Sequence, residues 1–389
     1  MKTMIDYVVD TKDLAWDVKP FCAVDSMVLC QLSYEDYGDV VSAPEKARSS
    51  ITLEKAVQLR GIRQMIQGTL VPPKNESLLF AVLDSARFKN LTLHAYVNDV
   101  DAESQKQFSA ITFSLPTGTR YVAFRGTDAS LIGWKEDFNM TFLTPVPSQV
   151  SASAYLETVA KALPGPILVG GHSKGGNLAV YASMHCQPET QKRLRSVFNH
   201  DGPGFKEEVL SEPGFDAIAG MLQTTLPKAS VVGMLLQHDN RYRVVESTSI
   251  GILQHNLFTW GVEDGDLRYA SQLSPQAVLF GKTLNAWLAN LDEAQRERFV
   301  EYLFQIVGAA NLSNLHDIRW SWRKAAKEAA SVLKDIDAET KGFLAEIFSL
   351  LAETVKESLK EDFQQKIAGI VPALAKGKEP GAVPSRTGN

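Results

Sequence analysis

The stretch ILVGGHSKGGNLAVYAS, residues 167–183, contains the strongest pattern in the chain. Gly171 to Gly175 match the pentapeptide G-x-S-x-G, with Ser173 at its centre. An apolar run precedes the pentapeptide and helix-forming residues follow it, so the sequence predicts a strand, a tight turn and a helix. This context is typical of a serine nucleophile held on a strained turn, and a purely structural glycine turn is the alternative.

A glycine-rich turn between a strand and a helix can also bind phosphate. That function requires the pattern G-x-x-x-x-G-K followed by Ser or Thr. Here Lys174 precedes Gly175 and Gly176, and Asn177 follows them. The phosphate-binding pattern is therefore not met.

Strand and helix patterns alternate through the middle of the chain. Short apolar or alternating runs predict strands within 91–100, 107–116, 119–127, 194–205 and 229–239, and a helix is predicted over 151–163. Such alternation favours a mostly parallel sheet covered by helices on both faces. Together with the pentapeptide, it predicts an α/β-hydrolase fold with a mostly parallel central sheet and a C-terminal helical extension.

Four regions are expected along the chain. These are an N-terminal, mostly helical segment packed on the core (1–75), the α/β-hydrolase core (76–275), a C-terminal helical region (276–373) and a disordered tail (374–389). In the C-terminal region, apolar residues recur at every fourth position from Ile347 to Ile367. This stripe is expected to pack on the hydrolase domain, and a lid or a membrane-surface helix is the alternative.

Composition and charge exclude several classes of function. The formal net charge of −5 over 389 residues, with scattered basic residues, argues against a nucleic-acid partner. No apolar run is long enough for an integral membrane span, and the N-terminus lacks the pattern of a secretory signal. Cys22, Cys30 and Cys186 indicate neither a disulfide framework nor a zinc site. A cytoplasmic location is therefore expected.

A nucleophilic serine needs a base and an acid that orients the base. In α/β-hydrolases both follow the serine, so the candidate bases are His185, His200, His238 and His255. His255 is favoured because it lies last, in a loop that begins with a glycine, GILQHNLFTW. Two acids compete, and both are also ordinary turn formers. Asp201 follows the first strand expected after the serine, and Asp239 follows the second. Asp239 is slightly preferred.

An oxyanion hole needs two donors close to the serine. One is expected to be the backbone N–H of Lys174, the residue after the nucleophile. The other is expected from the loop after 119–127, where Gly126 lets the backbone approach and Thr127 offers an N–H and a hydroxyl. A plain turn is the alternative for this loop.

Taken together, the segments FRGTDASLIGWKEDFN, GGHSKGGNLAVYAS, NHDGPGF, GILQHNLFTW and VDSMVLCQLSY resemble the Mbeg-like group of lipase-like α/β-hydrolases. That group is similar to the class 3 lipases. The resemblance implies that Ser173 is the nucleophile, Thr127 an oxyanion residue and His255 the base. The class 3 pattern favours Asp239 as the acid. The other candidate, Asp201, lies in the segment HDGPGF, which belongs to the Mbeg-like signature.

Lys174 departs from the lipase pattern, which has an apolar residue after the serine. Its side chain is expected to face solvent, and an anionic group of the substrate is the alternative partner. The expected function is a serine hydrolase that cleaves carboxylic esters, of lipids or other small acyl compounds, without a metal or organic cofactor. Thioesters and amides stay open as substrates, as does the oligomeric state. A hydrolase-like scaffold that binds an acyl ligand or a protein partner without turnover is the alternative function.

Overall fold

The computed structural model describes residues 1–101, 103, 106–127, 136, 140, 144–236, 241–290, 292, 295, 338 and 341–342. Within these residues the chain forms one large mixed sheet between two layers of helices. No helix in the described ranges is long and apolar enough to cross a membrane.

Within the described residues, nine strands form the large sheet, in the order β1-β2-β3-β4-β5-β6-β7-β8-β11. The strands from β4 to β8 are parallel to one another, and the outer pairs are antiparallel. The strand bounds are β1 Ile51–Thr52, β2 Thr92–Asp101, β3 Lys106–Ser114, β4 Arg120–Phe124, β5 Ile167–His172, β6 Leu194–His200, β7 Leu222–Pro227, β8 Tyr242–Val245, β9 Val262–Glu263, β10 Asp266–Leu267 and β11 Tyr269–Ala270.

Helices precede the sheet in the chain and connect its parallel strands. Their bounds are α1 Met4–Asp10, α2 Ala23–Leu32, α3 Leu53–Arg60, α4 Ile62–Met65, α5 Pro72–Asp84, α6 Pro147–Ala162, α7 Lys174–Met184, α8 Pro188–Gln191, α9 Glu207–Leu210, α10 Pro213–Ala219 and α11 Pro275–Asn290. The predicted α/β-hydrolase fold with a parallel central sheet is confirmed.

Strand β5 shows how the sheet separates two cores. Because successive side chains point to opposite faces, Ile167 and Val169 pack against α6 and α7, whereas Leu168 packs against the N-terminal helices. Both faces are covered, which explains why this strand has no polar side chain before His172. The carboxyl ends of β4, β5 and β6 consequently meet at one edge of the sheet, where the candidate residues lie.

Helix α2 is buried along its entire length, and its own polar residues are paired. Asp25 accepts hydrogen bonds from the Arg87 guanidinium at 2.8 and 3.0 Å, and both side chains are fully buried. Arg87 also donates to three carbonyl oxygens of the loop before α2. This pair fixes the N-terminal helices against one face of the sheet.

One predicted strand is wrong. The apolar run ASVVGMLLQHD was predicted to begin as a strand, but its described part, 229–236, contains a 3-10 turn over Val232–Met234. Here the backbone turns around Asp201, which accepts a hydrogen bond from the N–H of Gly233. The strand next but one after the serine is β7, which ends at Pro227.

The apolar stripe from Ile347 to Ile367 and the tail 374–389 lie outside the described residues. Their expected packing, and the four region boundaries, stay predictions.

Candidate active site

Ser173 lies between β5 and α7 in a conformation that L-residues rarely adopt, with φ 58° and ψ −132°. Its N–H donates to the carbonyl oxygen of His200, so the turn is tied to the end of β6. The flanking glycines are required because a side chain at either position would collide with backbone atoms. A Cβ on Gly171 would lie 2.1 Å from Gly175, and one on Gly175 would lie 2.1 Å from the carbonyl oxygen of Phe124. The pattern G-x-S-x-G is therefore the sequence that allows this turn.

His255 and Asp201 form a short hydrogen bond, with Nδ1 of the imidazole 2.6 Å from Oδ2 of the carboxylate. Asp201 follows β6 directly and is fully buried. Its other oxygen, Oδ1, accepts from the Ser230 hydroxyl at 2.5 Å and from the Gly233 N–H at 3.2 Å. A carboxylate only accepts hydrogen bonds, so the Nδ1 atom carries the imidazole proton and Nε2 is left as the basic nitrogen.

His172 occupies the first x position of G-x-S-x-G, directly before Ser173. It packs against His255, with the ring centroids 4.5 Å apart. Its Nε2 lies 2.8 Å from the carbonyl oxygen of His255, and its Nδ1 lies 2.9 Å from the hydroxyl of Tyr34. A carbonyl only accepts, so Nε2 donates and Nδ1 accepts from Tyr34. Burial lowers the pKa of His172 well below its usual range, and the neighbouring His255 lowers it further. A neutral His172 thus joins Tyr34 to the backbone of His255.

Among the described residues, no hydrogen bond joins the Ser173 hydroxyl to His255. Such contacts are often long without substrate and shorten in the bound complex. The His255 side chain is 25% exposed, whereas the Asp201 side chain is fully buried. One side of the imidazole is therefore fixed by the protein, and the residue remains accessible from solvent.

The loop after β4 runs close to the serine. An added Cβ on Gly126 would lie 2.5 Å from the carbonyl oxygen of His172 and 3.1 Å from the Cβ of Ser173. Thr127, the next residue, is buried. The chain at Gly126 therefore passes against the serine turn, and Thr127 follows it directly.

The expectation that the Lys174 side chain faces solvent is wrong. Lys174 is 1% exposed, and its ammonium forms a buried ion pair with Glu136 at 3.1 Å. Its partner is 38 residues earlier in the chain. The burial also leaves the ammonium enclosed by protein, which argues against the anionic substrate group considered as its alternative partner.

The other candidate residues lie elsewhere. His200 is buried beneath the turn, where its Nε2 lies 2.9 Å from the Ser26 hydroxyl and burial lowers its pKa to about 3. His185 is exposed at the end of α7. His238 and Asp239 lie outside the described residues, so the preference for Asp239 over Asp201 is not tested.

Sequence reasoning named Ser173, His255 and Asp201 as candidates but missed the residues that hydrogen-bond to the neighbouring His172 and His200. Ser26 lies on α2 and Tyr34 lies just after it, both more than 130 positions before the serine turn, and they hydrogen-bond to His200 and His172. Their segment, VDSMVLCQLSY, contributed to the family resemblance, which is the signal that could have indicated a role.

A family match and a similar solved structure relate this chain to known proteins. No curated protein matches the chain. Among solved structures, an M37 lipase is similar with 15% sequence identity and a TM-score of 0.31, over 54% of this chain and 69% of that one. The Mbeg1-like family matches residues 82–305, a range that contains the serine turn, Asp201 and His255. The chain therefore belongs to the Mbeg1-like family.

Proposed function

We propose that the protein is a serine hydrolase that cleaves carboxylic esters through an acyl-enzyme. The observation that carries the proposal is the 2.6 Å hydrogen bond from His255 to the buried Asp201, beside a serine on a strained strand-to-helix turn. Strained backbone and buried carboxylates both cost free energy of folding, so their combination at one sheet edge supports a catalytic role.

In the proposed reaction, Ser173 attacks the ester carbonyl carbon while His255 Nε2 accepts the hydroxyl proton. The N–H groups of Lys174 and Thr127 donate to the oxygen that becomes negative. His255 then gives its proton to the departing alcohol, and an acyl group stays on Ser173. Water releases the acid by the same steps, with Asp201 orienting the imidazole throughout.

Lipid or other acyl esters are the proposed substrates, because the serine turn, the FRGT loop and the HDGPGF segment resemble those of lipase-like hydrolases. The same groups can also cleave thioesters and amides, which differ in the leaving group. A cytoplasmic location and the absence of a cofactor belong to the same proposal.

The test combines nitrophenyl esters of increasing acyl length with a fluorophosphonate probe. Wild-type protein should hydrolyse at least the short esters and carry the probe on Ser173. Ser173→Ala and His255→Ala should abolish hydrolysis, with losses of similar size because the triad acts as a unit. The matched control is Ser183→Ala on α7, where a buried hydroxyl donates to the carbonyl oxygen of Ala179. Ser183→Ala should keep full activity.

If the folded wild-type protein neither reacts with the probe nor hydrolyses any ester, the proposed function is wrong. The alternative, a scaffold that binds an acyl ligand or a protein partner without turnover, would then be favoured.

A further inference from the structure

Lys174 is the first residue of α7, and among the described residues its side chain is held by Gln107 and Glu136. The ammonium donates to the carbonyl oxygen of Gln107 at 2.8 Å, to the side-chain oxygen of Gln107 at 3.1 Å and to Oε2 of Glu136 at 3.1 Å. Both charged side chains are fully buried. The lysine is thus fixed between strand β3 and Glu136.

Glu136 is surrounded by donors. Its Oε1 accepts from the backbone N–H of Ser148, and its Oε2 accepts from the Ser148 hydroxyl and the backbone N–H of Gln107 in addition to Lys174. Every one of these bonds is 2.7 to 3.1 Å long. A single carboxylate therefore connects β3, the start of α6 and the start of α7.

A lysine at this position is electrostatically unfavourable in two ways. The N-terminus of a helix carries partial positive charge, so a cation there is repelled by the helix dipole. Burial also removes the water that would solvate the ammonium. An apolar residue would avoid both costs, which indicates that the lysine has a role beyond filling space.

We propose that the buried Lys174–Glu136 pair is a positioning device that fixes the oxyanion hole. It holds the first residue of α7, whose N–H is one proposed donor, against strand β3 and the start of α6. Lys174 thus acts on the reaction through its own backbone and does not bind substrate with its ammonium. This inference rests on the proposed function.

The test uses Lys174→Met, Glu136→Gln and the double variant, with kcat and KM measured for a short nitrophenyl ester. Lys174→Met should lower kcat by about 10²-fold with little change in KM, the size expected when an oxyanion donor is lost or misplaced. The inhibition constant of phenylboronic acid, which forms a tetrahedral adduct on a reactive serine, should rise in parallel. Activity is compared per mole of folded protein, well below each melting temperature.

The double variant separates positioning from simple charge balance. Removing one member of a buried ion pair leaves a charge without a partner, and removing both restores neutrality. The double variant should therefore recover melting temperature relative to Lys174→Met but keep its low kcat.

Asp25→Asn is the matched control, because it disturbs another fully buried ion pair that the proposed mechanism does not use. It should lower the melting temperature and leave kcat unchanged. If Lys174→Met retains the wild-type kcat, or if the double variant recovers kcat together with stability, positioning by the pair is wrong. A wild-type protein inactive towards esters and probe would overturn the proposed function itself, and the inference with it.

Discussion

Replacing Asp201 by asparagine is the sharpest test of the proposed acid. In the protein, Oδ1 of Asp201 faces two donors, Ser230 and Gly233, whereas Oδ2 faces His255. The asparagine oxygen should take the Oδ1 position because an amide NH₂ cannot accept the Gly233 N–H. The NH₂ group then points at Nδ1 of His255, which must give up its proton. Nε2 becomes protonated and cannot act as a base.

The expected loss in kcat is about 10⁴-fold, as for this change in the serine protease triad, which corresponds to about 5.4 kcal/mol of transition-state stabilisation. Two of the three hydrogen bonds made by the side chain at position 201 are retained. The free energy of unfolding should therefore fall by only about 1 kcal/mol. Hydrolysis of a short nitrophenyl ester measures the first quantity and urea unfolding the second. Asp239→Asn, measured alongside, should leave kcat within a few fold of the wild type.

A large loss for Asp239→Asn with little loss for Asp201→Asn would refute this reasoning. The acid originally preferred from the sequence would then be the correct one, and the Asp201–His255 hydrogen bond would be structural.

Two further outcomes are expected. Gly175→Ala should abolish labelling of Ser173 by the fluorophosphonate probe, because its Cβ would lie 2.1 Å from the carbonyl oxygen of Phe124; Gly220→Ala, with nothing within 4 Å, is the control and should label normally. The pKa of His200 is lowered by burial to about 3, so its contribution to stability is present above the unfolded pKa of about 6.5 and is lost as pH falls towards 3. Between pH 7.5 and 5 the free energy of unfolding should therefore fall by about 2 kcal/mol. Urea unfolding of His200→Gln should lack this part of the fall. An unchanged pH dependence in the variant would show that His200 is not its source.

The parts of the site that local sequence determines were predictable. The serine turn follows from G-x-S-x-G because Gly171 packs on Gly175 within one strand-turn-helix unit, and Gly175 in turn packs on Phe124 of the adjacent strand β4. The central sheet followed from alternating strand and helix patterns, and the structure confirms it. His255 was selected by chain order, and the structure places its ring beside that of His172.

Features that depend on distant partners were not predictable. Strand β7, LQTTLP, is half polar and gives a weak pattern, whereas the apolar run 229–236 resembles a strand but turns around Asp201. The burial of Lys174 depends on Glu136, which no local pattern connects to it. A lysine after the serine is ordinarily read as a surface residue, so only the tertiary contact shows otherwise.

The hydrogen bonds from Ser26 and Tyr34 set a lower limit on the smallest working fragment of this protein. The family match begins at residue 82, yet the partners of His200 and His172 lie before it. A fragment cut at that boundary would lack Tyr34 and would expose the apolar side chains that α1, α2 and α5 cover, including Leu168 and Phe198. Gene designs that follow the family boundary would therefore remove the hydrogen-bond partners of His172 and His200.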